Sequence, residues 1–280
     1  MPGFLSLPAE LIFEVYCSLD TIGDAYFLSQ TCQQAYSIFS RPQSQPKIFK
    51  SIIDNIIHDA APTKAWLEEQ FGPGSLWQPT EAELPADLTD KETIKFLLDV
   101  GFPSVNLPRM GFNSTDLRKS TDMGQTLDGY TADQLFDIFN YKDEGNPPAL
   151  SFRFGAIHHK LVLLNNKNGI IYFYDPETWV AHRGVIADGL GNLAMLLGMV
   201  FAVTKDLRKV SPDIPREELQ RRVEVLKGPL DILREGLWEY DFSADYYSEF
   251  WNELFAKLMH DRRVWGRYFS KLGFFWYTRL

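Results

Sequence analysis

Basic side chains are in short supply. The 280-residue chain sets 28 Lys and Arg against 37 Asp and Glu, a formal net charge of −9 at pH 7. A protein that grips a phosphate backbone needs a basic patch, so nucleic acid is not expected as a direct ligand. The acidic surplus leaves two readings open: a surface for a basic partner, or solubility alone. Cysteine is scarcer still, with only Cys17 and Cys32. Both fall on apolar helical patterns and neither belongs to a metal-type spacing, which reads as two buried thiols in a reducing compartment. Long apolar runs are missing as well. The longest, 193–203, is interrupted by Gly198. A membrane span needs ~20 residues, so this run reads as a core helix. The first twenty residues lack a basic start and carry Glu10 and Glu14, unlike a signal peptide. These absences together predict a soluble intracellular protein, cytoplasmic or nuclear, with no membrane partner.

Catalytic signatures are also lacking. Among the five histidines only His158 and His159 are adjacent, and on a strand they would point to opposite faces, unable to hold one metal together. The glycines Gly184, Gly189 and Gly191 have no following lysine of the phosphate-loop kind, and no Gly-x-Ser-x-Gly elbow occurs. Asp143 and Glu144 sit in a turn-rich stretch with Gly145 and Pro147, where solvation accounts for them. No catalytic residue, metal ligand or cofactor is expected.

What is present is aromatic and helical. The 21 Phe, 12 Tyr and 7 Trp favour a well-packed interior or a surface built to hold partners. Residues 1–40 read as three short helices. Leu7, Leu11, Val15 and Leu19 recur every fourth residue after Pro8, with Ile12 and Tyr16 widening the stripe. Asp20 and Thr21 are N-cap candidates. Ala25, Leu28, Cys32, Ala35 and Phe39 mark the next face, with Ser29, Gln30 and Thr31 as a break. Ser40 to Pro46 is a turn-rich joint, and Ile48, Ile52, Ile53, Ile56 and Ile57 form a fourth stripe that ends at Ala60-Ala61-Pro62. The expected division is a helical module over 1–46, a connecting helix over 47–62 and a larger domain over 63–280.

In that domain the pattern gives a short helix over 64–71 and another over 90–100 with Gly101 as its C-cap. Residues 104–130 read as irregular. Strands are expected at 151–154, 160–164 and 170–174, the last two joined through Asn168-Gly169, a strong hairpin signal. A third strand of that group is expected at Trp179, then a helix over 192–203. The last seventy residues read as helical, with a kink or break at Gly228-Pro229 and an aromatic stripe through Tyr247, Phe250, Trp251, Leu254, Phe255 and Leu258. The fold class is α+β, with a mostly antiparallel central sheet flanked by helices. Acidic residues cluster near 81–92 and again at Asp128, Asp133, Asp137, Asp143 and Glu144. Asp133, Asp137 and Asp143 are the candidates for a face that recognises a basic partner, beside the plainer reading of solvated faces.

Two stretches resemble known families. Leu5-Ser6-Leu7-Pro8-Ala9-Glu10-Leu11-Ile12, then Leu19-Asp20, Leu28-Ser29-Gln30-Thr31-Cys32 and Tyr36, resemble an F-box over roughly residues 3–42. Ala25 stands where that family usually carries a larger aliphatic residue, and Gln33 and Gln34 where a basic residue often follows the cysteine. The resemblance implies that Leu7, Pro8, Leu11, Ile12, Leu19 and Leu28 contact a Skp-type adaptor, which joins the chain to the cullin scaffold of an SCF-type ubiquitin ligase. Leu84-Pro85, the block from Thr93 to Pro103 ending in Gly101-Phe102-Pro103, the hairpin 161–174 and the helix near 190–197 resemble the fourth subfamily of the SUKH superfamily. That resemblance spans about residues 63–260 in separated blocks and implies protein binding without catalysis. Some eukaryotic proteins join an F-box to a SUKH domain. Two functions therefore stand at this point: a substrate receptor that recruits a client protein to the ligase, and an immunity-type inhibitor that binds and neutralises a toxin.

Overall fold

A computed structural model describes residues 7–124, 127–131, 134, 150–175, 184–205, 219–245 and 247–259. The chain opens with three short helices, α1 (Ala9–Cys17), α2 (Ile22–Ser29) and α3 (Gln33–Phe39), followed by α4 (Ser44–Asp59). Local chemistry sets their ends. Thr21 Oγ1 accepts from the Asp24 amide at 3.0 Å and caps α2, while the Cys32 sulfur accepts from Ala35 N at 3.4 Å and caps α3. Helix α4 crosses the expected 46/47 junction. It packs on all three preceding helices and also on the long C-terminal helix described below. The apolar stripe read from the sequence supplies those contacts, with Ile48, Phe49, Ile52 and Ile53 buried.

The rest of the chain is α+β. Helix α5 (Lys64–Phe71) leads through β1 (Leu76–Trp77) and a 3-10 turn at Glu81–Glu83 to α6 (Lys91–Asp99) and β2 (Phe102–Pro103). There follow β3 (Asn106–Leu107), β4 (Phe112–Asn113), α7 (Asp116–Asp122), β5 (Gly129–Thr131), β6 (Leu150–Ile157), β7 (Lys160–Asn165), β8 (Ile171–Tyr174) and β9 (Gly184–Ala187). Helices α8 (Leu190–Thr204), α9 (Leu219–Tyr240) and α10 (Glu249–Leu258) complete the described elements. Strands β1 and β2 form a small pair. The other seven make one antiparallel sheet in the order β3-β4-β6-β7-β8-β9, with β5 also on β6.

Helix α8 is apolar on every side and buried along nearly its whole length, which is the signature of a central core helix. It touches α4, α5, α6, α9, β2 and β9. Helix α10 lies on the sheet, with Phe250 edge-on to Phe112 at 6.4 Å and to Phe173 at 5.3 Å between ring centroids. Trp251 Nε1 donates to the Ile186 carbonyl at 3.0 Å. Phe154, on β6, meets Trp77 and Phe102 of the small pair.

Several expectations are corrected. The stretch 104–130 is not irregular; it holds β3, β4, α7 and most of β5. Strands of two or three residues are too short to show a period, and non-local bonds hold them: Ser114 donates to the Pro103 carbonyl at 2.6 Å and accepts from Val105 N at 3.1 Å. His158 and His159 are the two turn residues of the β6–β7 hairpin rather than strand residues, because Ile157 pairs directly with Lys160 and His158 takes φ 57°. The strand after β8 lies at Gly184–Ala187, while Trp179 falls outside the described residues, as does the aromatic stretch from Trp265. Gly228-Pro229 does not divide the helix in two, since α9 continues through Pro229 as one element.

Gly101 links α6 to β2 under two constraints. Its φ is +91°, and a Cβ there would lie 2.8 Å from the Trp77 carbonyl oxygen, a backbone atom that cannot step aside. Gly101→Ala is expected to cost roughly 2–3 kcal/mol. At roughly 2–4 °C per kcal/mol for a chain of this class, thermal melting should fall by about 5–10 °C. A melting temperature within the error of wild type would show that this turn is not held as described.

Candidate partner-binding surface

The N-terminal module completes its own core and still leaves apolar side chains outside. Ile12 and Tyr16, one turn apart on α1, are buried with Ile22 and Ala25 of α2 and Ala35, Ile38 and Phe39 of α3. Tyr16 Oη donates to the Ala35 carbonyl at 3.1 Å. Burial, with Cys32 nearby, pushes the phenol up to about 12, so it stays a neutral donor. Phe39 collects Tyr16, Tyr26 and Phe49 at centroid distances of 5.6, 5.0 and 5.8 Å. Ser51 of α4 donates to the Cys17 carbonyl at 3.0 Å and ties off the end of α1. Burial also raises the Cys17 thiol against the opposing Ser51 contact, which keeps it in the unreactive form.

Against this frame the sequence-derived contact residues separate. Leu11 is 44% exposed and Pro8 is exposed. Leu7, Leu19 and Leu28 are half-buried and packed on the module's core. Ile12 is fully buried, which corrects its assignment: it clamps α1 to its own module and presents nothing to a partner. Two residues are added. Phe27 on α2 and Tyr36 on α3 are exposed, Tyr36 at 61%. Tyr36 belongs to the F-box resemblance. Phe27 could have been read from its place off the apolar stripe of Ala25, Leu28 and Cys32. Asp133, Asp137 and Asp143 lie outside the described residues.

The larger domain carries two charge centres that the sequence did not reveal. Arg153 on β6 reaches Asp116 at 3.2 Å and Asp128 at 3.6 Å. They line a cleft with Asn113, Ser114 and Leu127, whose enclosed space is about that of one water. The second centre is Lys160, the first residue of β7. Its ammonium meets Glu249 and Glu253 of α10 and lies 3.2 Å from Asp175 at the end of β8. His159 stands 3.4 Å from the same aspartate. Among the described residues no group of three or more His, Cys, Asp or Glu is disposed to hold a metal ion, and no helix is long and apolar enough to cross a membrane. Comparison of the chain with protein-family models, curated proteins and solved structures finds no match.

Proposed function

We propose that the chain is a non-catalytic adaptor whose N-terminal helices dock on a Skp-type adaptor of a cullin–RING ubiquitin ligase, while the α+β domain holds a client protein. The observation that carries this reading is the exposure of Leu11, Phe27 and Tyr36 on a module whose own core is already closed by Ile12, Tyr16, Ile38 and Phe39. Apolar side chains in excess of what folding uses favour a helix-in-groove contact with a partner. The resemblance of residues 3–42 to an F-box names the partner class, and the SUKH-like blocks name protein binding as the second task.

The test is direct binding of the purified full chain to a purified Skp-type adaptor. The expected result is a stable complex that recruits the cullin scaffold only when the adaptor is present. Failure of the wild-type chain to capture the adaptor would remove the ligase reading and leave the toxin-neutralising inhibitor as the reading to pursue. On the client side, an acidic surface recognising a basic partner predicts association that slows markedly from low to physiological salt. Association indifferent to salt would place recognition on apolar side chains.

A further inference from the structure

Helix α9 has opposite characters on its two sides. Leu230, Leu233 and Leu237 are buried, where the helix packs on α4 and α8. Glu235, Trp238 and Glu239 stand on the other side, all exposed. Phe242 continues their line into the 3-10 turn that follows. Residues three and four apart on a helix are surface neighbours, so acid and aromatic alternate along one stripe. Trp238 and Phe242 touch, with ring centroids 5.4 Å apart and planes inclined at 42°. They remain 40% and 73% exposed. Adjacent exposed rings mark a surface for a partner more than scattered apolar side chains do. The backbone beneath them is fixed. Buried Asp241 accepts from the Asp188 amide and from Asn192 Nδ2, both at 3.1 Å, and from Ser243 N at 2.9 Å. A surface that is already rigid loses little entropy when it is covered.

Charge selects the partner. Glu235 and Glu239 bracket Trp238 in sequence, and their field reaches a cation of the chain itself. The hydrogen bond from Lys50 to Asp54, 3.0 Å long, is the main cause that holds the Lys50 ammonium above its ordinary range. The charges of Asp54, Glu239 and Glu235 add to it against the cost of burial. A guanidinium can do more on this stripe than an ammonium. It lies flat on an aromatic face while its N–H groups donate to a carboxylate.

We propose that Glu235, Trp238, Glu239 and Phe242 form a docking surface for an arginine-bearing segment of the client protein, its guanidinium stacked on the rings and donating to the glutamates. This rests on the reading of the α+β domain as the part that holds a client, and it gives that client a chemistry. The experiment is fluorescence anisotropy of the full chain with a labelled, glycine-spaced tetra-arginine peptide. No Skp-type adaptor is present, so failure here is separate from failure of adaptor docking. Trp238→Ala with Phe242→Ala alters no charge and should weaken peptide binding about tenfold, as the loss of two exposed cation–π contacts requires. Phe242→Ala alone should weaken it about threefold with the melting temperature unmoved, since that ring is mostly in solvent. Glu235→Gln with Glu239→Gln, which keeps both rings, should also weaken binding about tenfold. Glu10→Gln with Glu14→Gln removes the same charge from exposed positions on α1 and should leave binding close to wild type. A tetra-lysine peptide should bind several-fold more weakly than the arginine one. Ring variants that bind as wild type does overturn the proposal. So does an equal loss from the Glu10 and Glu14 pair, which would reduce the effect to the general charge of the chain. A wild-type chain that dimerises, and that Phe242→Ala returns to monomer, would assign the rings to a second copy and overturn it as well.

Discussion

Replacing Lys160 with methionine should lower the melting temperature of the chain by about 5–15 °C, the largest stability effect expected from a single polar side chain here. The Lys160 side chain is 11% exposed and faces three carboxylates from two other elements, Asp175 at the end of β8 and Glu249 and Glu253 on α10. It also lies 5.6 Å over the Phe173 ring. Methionine keeps the volume and removes the charge, leaving three partly buried anions to face one another. Removing one partner of a buried ion pair typically costs ~3–5 kcal/mol. The glutamates keep 27% and 29% exposure, and solvent screening brings the expectation down to roughly 2–4 kcal/mol. Burial by itself would lower the lysine pKa, but the hydrogen bonds the ammonium donates to Glu249 and Glu253 outweigh it and hold the ammonium above its usual range. The sign follows. A raised folded pKa contributes stability that is complete below the unfolded lysine value of about 10.4 and is lost only as pH climbs through the higher folded value. The Lys160→Met deficit should therefore be the same at pH 6 and pH 9. Adding Glu249→Gln and Glu253→Gln to the methionine variant should recover part of the loss. Melting within ~2 °C of wild type would show that this cluster does not fasten α10 to the sheet.

That cluster also marks where sequence reading stops. Lys160 meets Glu249 and Glu253 across 89 and 93 residues, and nothing local at either end announces the pairing. Local signals did better. Thr21 caps α2, and Asn168-Gly169 turns the β7–β8 hairpin with Gly169 at φ 70°. The helix over 48–57 was legible because a 3.6-residue apolar period needs only its own segment to be read, and that over 192–203 because its apolar run falls short of the ~20 residues of a membrane span. Strands β3 and β4 were not, since two residues carry no alternation and their pairing is set by Ser114 and by the register of β6. The β6–β7 turn was missed because histidine is a poor advertisement for positive φ, unlike the glycine of the next turn. The candidate surface divides in the same way. The apolar repeat from Leu7 into α1 was visible, but which member faces outward depends on α3 and α4, against which Ile12 is buried.

The separation of Leu11 from Ile12 yields the sharpest test of the ligase reading. Leu11→Asp should abolish capture of a Skp-type adaptor while leaving the melting temperature unchanged. The side chain is 44% exposed, so the folded chain tolerates a carboxylate there in water. In an apolar groove the same change forfeits a leucine burial of roughly 1.5–3 kcal/mol and desolvates a charge without a partner, for a further ~1–3 kcal/mol. The sum corresponds to a weakening of about 100-fold or more in Kd. Ile12→Asp is the contrasting variant. Ile12 is fully buried against the module, so a carboxylate there should unfold α1 and lower the melting temperature along with any binding. Ile12→Val removes one methylene at a cost of roughly 0.5–1.5 kcal/mol and should leave adaptor capture intact. The ligase reading requires this pattern, with Leu11→Asp silent in stability and fatal in binding and Ile12→Val close to wild type in both. If Leu11→Asp instead destabilises the chain as Ile12→Asp does, then α1 uses that side chain for its own packing. The N-terminal helices would then be a structural extension of the α+β domain with no adaptor to meet.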